Sequence, residues 1–167
     1  MSEIKDLNRE EGVEKLKQLA ENKVCFFITR MPDSEIDTRP MSTLEADAEG
    51  NFWFLCKDDS NVAQQISADD KVELLYGDNS NNAYLFVKGK AAVLQDQSIV
   101  NRLWTPIAKA WFTAGKEDPS IRIIKVQPSD IHYMDTQHGK IVSGFKIILA
   151  AITGKRMDDG REGDISI

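Results

Sequence analysis

The stretch Phe52-Trp53-Phe54-Leu55-Cys56-Lys57-Asp58-Asp59-Ser60-Asn61-Val62-Ala63-Gln64-Gln65-Ile66 decides how this chain folds. Its first five residues are apolar and aromatic with no helical period, which is the pattern of a strand. Two aspartates end the run, and Ser60 stands where a helix N-cap belongs. Val62 and Ile66 share one face of a short helix over Asn61–Ile66. Just upstream, Glu49-Gly50-Asn51 signals a hairpin. The preceding strand is expected over Arg39–Ala46, with Pro40 removing one ladder donor.

Further strands are read outward from this unit. Val24–Thr29 is a β-branched and aromatic run, expected to be buried on both faces. Met31-Pro32-Asp33-Ser34 is a turn. Lys71–Tyr76 is a fourth strand, and a polar loop over residues 77–82 leads to a long one, Tyr84–Leu94, with Gly89 marking a bulge. Ile121–Val126 and Ile131–Met134 are two more, and Ile141–Ile152 is a strand or a short helix. A first helix carries Val13, Leu16, Leu19 and Ala20 on one face, capped by Asn8 or Asp6. A second is expected over Ser98–Thr113, with Pro106 as a kink and Gly115 as C-cap. Short turns between strands imply antiparallel pairing. The class is α+β, with an antiparallel sheet closing as a barrel. One domain spans residues 1–152, and residues 153–167 form a flexible tail.

The chain has 167 residues, of which 41% are hydrophobic and 29% charged. That is globular usage and excludes a chain disordered throughout. No apolar run approaches the ~20 residues of a membrane-spanning helix. The net charge of −6 disfavours nucleic acid as a partner. Cys25 and Cys56 lie in apolar runs and form no metal-binding pattern, so they read as buried, reduced thiols. The N-terminus lacks the pattern of a secretory signal, and the expected location is the cytoplasm. No nucleophile elbow, P-loop or dinucleotide fingerprint is present. His132 and His138 read as structural.

Thr38-Arg39-Pro40-Met41-Ser42-Thr43-Leu44 places a guanidinium inside a strand, which requires an anion or a carboxylate partner. With this strand at its spacing, Phe52–Ile66 resembles the strand and short helix of the pyridoxamine 5′-phosphate oxidase-like flavoproteins. Leu103-Trp104-Thr105-Pro106, Ala110-Trp111-Phe112, Gly115, Asp118-Pro119 and Val126-Gln127-Pro128 are similar to the series in the bacterial general stress protein branch. The resemblance covers roughly residues 5–140.

This resemblance implies an FMN-binding split β-barrel homodimer with flavin in clefts at the subunit interface. Arg39 would take the phosphate, and Met41 and Ser42 would offer backbone groups to the isoalloxazine. Leu55, Cys56 and Lys57 would line the ribityl chain and phosphate. Ser60 and Asn61 would stand at the helix N-terminus, where orphan N–H groups favour an anion. Tyr84 matches a position near the flavin. Trp111 reads either as reaching a partner's flavin or as a core or interface aromatic. The oxidase pattern has cations where this chain has Asn61-Val62, leaving Lys57 or Arg30 to compensate. Met134 replaces a usual Trp, and the terminal basic motif is missing, so oxidation of pyridoxamine phosphate itself is not expected. The implied function is a flavin-dependent oxidoreductase acting on a small substrate or NAD(P)H. The alternative is a non-enzymatic flavin carrier or stress-responsive binding module. A weaker third reading is haem, with His132 or His138 as axial ligand. The apolar face of the second helix, carrying Trp104, Ile107, Trp111 and Phe112, is the expected dimer surface.

Overall fold

One long strand, β8 (Ile121–Thr136), organises the sheet in the computed structural model, which describes residues 3–4, 7–31, 35–136 and 160–165. Before it come β1 (Glu3–Ile4), β2 (Val24–Arg30), β3 (Ile36–Ser42), β4 (Glu45–Ala46), β5 (Phe52–Lys57), β6 (Lys71–Asp78) and β7 (Ala83–Leu94). The last strand is β9 (Gly160–Asp164). One edge of β8 bonds β7, and its other edge is shared between β5 and β9. From β7 the antiparallel ladder continues through β6 and β2 to β3. Among the described residues β3 bonds β2 alone, and β5 bonds β4 and β8, so the curled sheet they form is open between β3 and β5. Pro40 is tolerated because β3 is an edge strand.

Helix α1 (Arg9–Ala20) starts at a capping box in which the Asn8 side chain accepts from the Glu11 amide and Glu11 reaches back. It buries Leu16, Leu19 and Ala20. Helix α2 (Asn61–Ala68) is capped by Ser60 and buries Val62, Ala63 and Ile66 beside the open edge. The main core fills the barrel. Phe27 meets Phe54 edge-on at 5.2 Å, and Phe52 stacks on Tyr76 at 6.1 Å. A smaller core, including Trp53, Leu103, Phe112 and Ile123, lies under α3 (Gln97–Leu103).

Several expectations change. β2 is buried on one face only: Cys25, Phe27 and Thr29 point in, while Val24 and Phe26 are 59% and 56% exposed. Among the described residues no helix covers the outer face of the sheet at these positions, so an apolar run did not mean two covered faces. The helix expected over Ser98–Thr113 divides into α3 and a 3-10 turn, Pro106–Ala110. Pro106 cannot donate, and Thr105 before it is extended (φ −121°, ψ 154°). The two strands expected between residues 121 and 134 are one, β8, with Pro128 accommodated at a bulge.

That bulge is where Gly89 predicted it, but the extra residue, Ser129, belongs to β8. A Cβ on Gly89 would lie 2.5 Å from the Gln127 carbonyl oxygen, so only glycine permits this approach. Part of the expected tail, Gly160–Asp164, is β9, paired with β8. The Ile141–Ile152 expectation and His138 lie outside the described residues.

Candidate functional site

The opening between β3 and β5 holds a cavity of about 340 Å³. Pro40, Met41, Ser42 and Leu44 form one wall, and Leu55, Lys57, Asp59 and Ser60 form the other. Thr105, Ile107, Ala108, Trp111 and Phe112 complete it from the 3-10 segment. The division at Pro106 creates this third side, because a continuous helix would not turn here. Ile107 and Trp111 are 71% and 59% exposed, so they form a rim and not a core.

Of the ten residues singled out by sequence, Met41, Ser42, Leu55, Lys57, Ser60 and Trp111 line this cavity. Ser60 donates to the Lys57 carbonyl (2.6 Å) and accepts from the Ala63 amide (3.4 Å), which locks the turn into α2. The first amides of α2, at Asn61 and Val62, have no intrahelical partners by construction and start beside Lys57. Among the described residues, Lys57 is the one cation in the lining and Asp59 the one acid. The site therefore joins an apolar slot to a short polar end.

The other four stand elsewhere. Cys56 is buried by the alternation of β5, and burial raises its thiol pKa more than a Ser60 hydrogen bond lowers it. Asn61 lines a separate pocket with Met31, Asp37, Gln64 and Gln65. Tyr84 lies on the outer face, its hydroxyl donating to Asn79 (3.1 Å). Arg39 does not line the cavity. Its guanidinium pairs with Asp37 and donates to Thr29 (3.0 Å) and Gln65 (2.7 Å), tying β3 to α2. Hydrogen bonds from Gln65, then Arg39, hold the Asp37 carboxyl below its usual range. The carboxylate partner that Arg39 required is thus on its own strand.

Val62 is 5% exposed among core residues and Met134 is on the outer face, so neither reaches the cavity. His132 pairs with Asp164 on β9 at 2.9 Å. As site residues, the sequence reading missed Pro40, Leu44, Asp59, Thr105, Ile107, Ala108 and Phe112. Pro106 was the available signal for most of them, since a helix break there turns the following residues toward the open edge. Among the described residues no group of His, Cys, Asp or Glu is placed to hold a metal ion. No described helix is long and apolar enough to cross a membrane.

An antiparallel barrel left open along one seam, with a cavity in the seam, defines a split β-barrel protein. The family model described as "Pyridoxamine 5'-phosphate oxidase like" matches residues 11–158, and the chain belongs to that family. It is 29% identical over 80 residues to general stress protein 26 of Bacillus subtilis, a match spanning 46% of this chain and 56% of that relative. It is 23% identical over 149 residues to the protein bli-3 of Neurospora crassa, covering 82% of this chain and 70% of the relative. The general stress protein 26 structure from Bacillus anthracis superposes with a TM-score of 0.65 at 22% identity, over 74% of this chain and 92% of that one. A general stress FMN/FAD binding protein from Xanthomonas citri superposes with a TM-score of 0.62 at 21% identity, over 75% and 88% of the two chains.

Proposed function

We propose that this protein binds FMN in the β3–β5 cavity and acts as a flavin-dependent oxidoreductase of the general stress type. The observation that carries this reading is the join of an apolar slot to a polar end that holds Lys57 and the start of α2. Met41, Leu55, Ala108 and Phe112 suit a flat ring system, while Lys57 and the start of α2 suit a phosphate. A cavity of about 340 Å³ is within the range that holds a ligand of this size. When bound, the flavin supplies the hydride and electron chemistry. The chain's own work is to hold the phosphate at Lys57, to set the ring against the Met41–Ser42 backbone, and to exclude water with the Ile107–Trp111 rim. NAD(P)H is the proposed electron donor, and the cytoplasm the proposed location.

A second copy of the chain is the proposed partner. Of the expected face, Ile107 and Trp111 are exposed, and a second apolar patch lies on the outer face of the sheet. Phe26 and Leu75 are cross-strand neighbours, as are Leu75 and Phe86, and Val24, Phe26, Leu75, Tyr84 and Met134 are exposed. A patch of this kind on a soluble chain marks an interface. Sedimentation is expected to give a dimer at micromolar concentration, and Phe26→Asp is expected to give a monomer.

The carrier reading has one observation in its favour. Arg39 is spent on Asp37 and Val62 is in the core, so among the described residues Lys57 is the cavity's single cation. The FMN-loaded protein is therefore mixed with reduced nicotinamide and an artificial acceptor. Turnover faster than that of the same free FMN supports the oxidoreductase, and bound flavin without turnover supports the carrier.

A further inference from the structure

A larger cavity, of about 460 Å³, lies outside the flavin cavity and shares no lining residue with it. It is a groove on the outer face of the sheet, over the β7–β8 bulge. Its floor is Ile28, Gly89 and Pro128, with the strand beneath at Val72, whose side chain turns into the barrel core. Around that floor stand four cations, Arg30, Lys71, Lys88 and Lys90, against one lining carboxylate, Glu73. The whole chain carries a net charge of −6, so this concentration of cations runs against its composition.

Register makes the arrangement sharper. Lys71 and Lys90 are directly opposed across β6 and β7. Arg30 is one step beyond the Thr29–Val72 pair of β2 and β6, which sets it opposite Lys71 on the other side. Three cations thus form one row over three adjacent strands, spanning about 10 Å at two strand spacings. Like charges directly opposed across a ladder are destabilising. The neighbouring acids relieve this weakly: Arg30–Glu73 is 3.7 Å, Lys90–Asp70 is 3.6 Å and Lys88–Asp130 is 3.8 Å, each too long for a hydrogen bond. Lys71 makes no ion pair among the described residues. A row of under-compensated cations over an apolar floor is a receptor for an anion with an apolar body.

We propose that this groove is a second ligand site, which binds a small diphosphate-bearing molecule of the nucleoside diphosphate class. The Arg30–Lys71–Lys90 row spaces the charges for two adjacent phosphates. Ile28 and Pro128 give the base an apolar surface. A long polyanion is disfavoured because the chain as a whole carries a net charge of −6. The site does not depend on the flavin reading.

The test uses the full chain and ADP, with calorimetric titration at low salt. ADP is expected to bind, to be displaced by inorganic pyrophosphate, and to weaken as salt rises. Lys71→Gln is expected to weaken ADP about tenfold, with the same melting temperature or a slightly higher one because the opposed charge is gone. FMN affinity of the same variant is expected to be unchanged, which separates this site from the flavin cavity. Four results would overturn the proposal. These are no binding of ADP at millimolar concentration, binding that pyrophosphate does not displace, unchanged ADP affinity in Lys71→Gln, or equal loss of ADP and FMN in that variant.

Discussion

Replacing Val62 by lysine tests where α2 faces. The resemblance read from the sequence implies a cation near this position, so the substitution would tighten FMN if Val62 bordered the phosphate. The geometry says otherwise. Val62 is 5% exposed and shares the buried face of α2 with Ile66 and Ala63. Removing a buried valine from its packing costs about 1.5–3 kcal/mol. The ammonium adds a further cost, lowered because the lysine stem can run toward solvent near the exposed start of the helix. The total is about 3–4 kcal/mol, or a fall in melting temperature of about 6–15 °C for a domain this size. Thermal melts and FMN titrations of both proteins at two salt concentrations read the two effects separately. The expected result is a lower melting temperature with FMN affinity unchanged. An unchanged melting temperature with tighter, salt-sensitive FMN binding would refute the placement of this helix.

Gly89→Ala is expected to lower stability by about 1–3 kcal/mol, read by urea denaturation, because its Cβ would lie 2.5 Å from the Gln127 carbonyl oxygen on a backbone that cannot rotate away. Burial raises the Asp47 pKa, but hydrogen bonds from Asn51 and Trp53 outweigh it and leave the carboxyl below its usual range. A depressed carboxyl contributes stability above the unfolded-state value and loses it as pH falls through the folded one. Asp47→Asn is therefore expected to flatten the fall in melting temperature between about pH 5 and pH 2. Burial pushes the Cys25 thiol up to about 12. Cys25 is expected to resist iodoacetamide at pH 8 in the native protein and to react in urea, followed by mass spectrometry.

Much of the fold was legible because local signals agreed with the tertiary arrangement. Ser60 before Val62 and Ile66 located α2, and Gly89 located the bulge. What was not legible depended on what lies across from a residue. Val24 and Phe26 look like core residues by type, and only the uncovered outer face makes them surface. Pro106 was visible as a kink, but its consequence, a wall of Ile107, Ala108 and Trp111 beside β3, needed the third dimension. Arg39 is the clearest case in the site. The sequence offered an anion or a carboxylate as its partner, and Asp37, two residues away on the same face of β3, is the carboxylate. The strand period of two placed Asp37 within reach, while Gln65 on α2, which bonds both side chains, holds the pair together.

The central claim is that the β3–β5 cavity holds a flavin with its phosphate at Lys57. It is tested by titrating FMN and riboflavin into the wild-type protein and Lys57→Ala, following the shift of the flavin absorption bands. A charge-assisted contact at a half-open site contributes about 1–2 kcal/mol, so Lys57→Ala is expected to weaken FMN by roughly 5- to 30-fold. Riboflavin, which lacks the phosphate, is expected to bind both proteins alike. No spectral shift with either flavin, or equal loss of both in Lys57→Ala, would contradict the account.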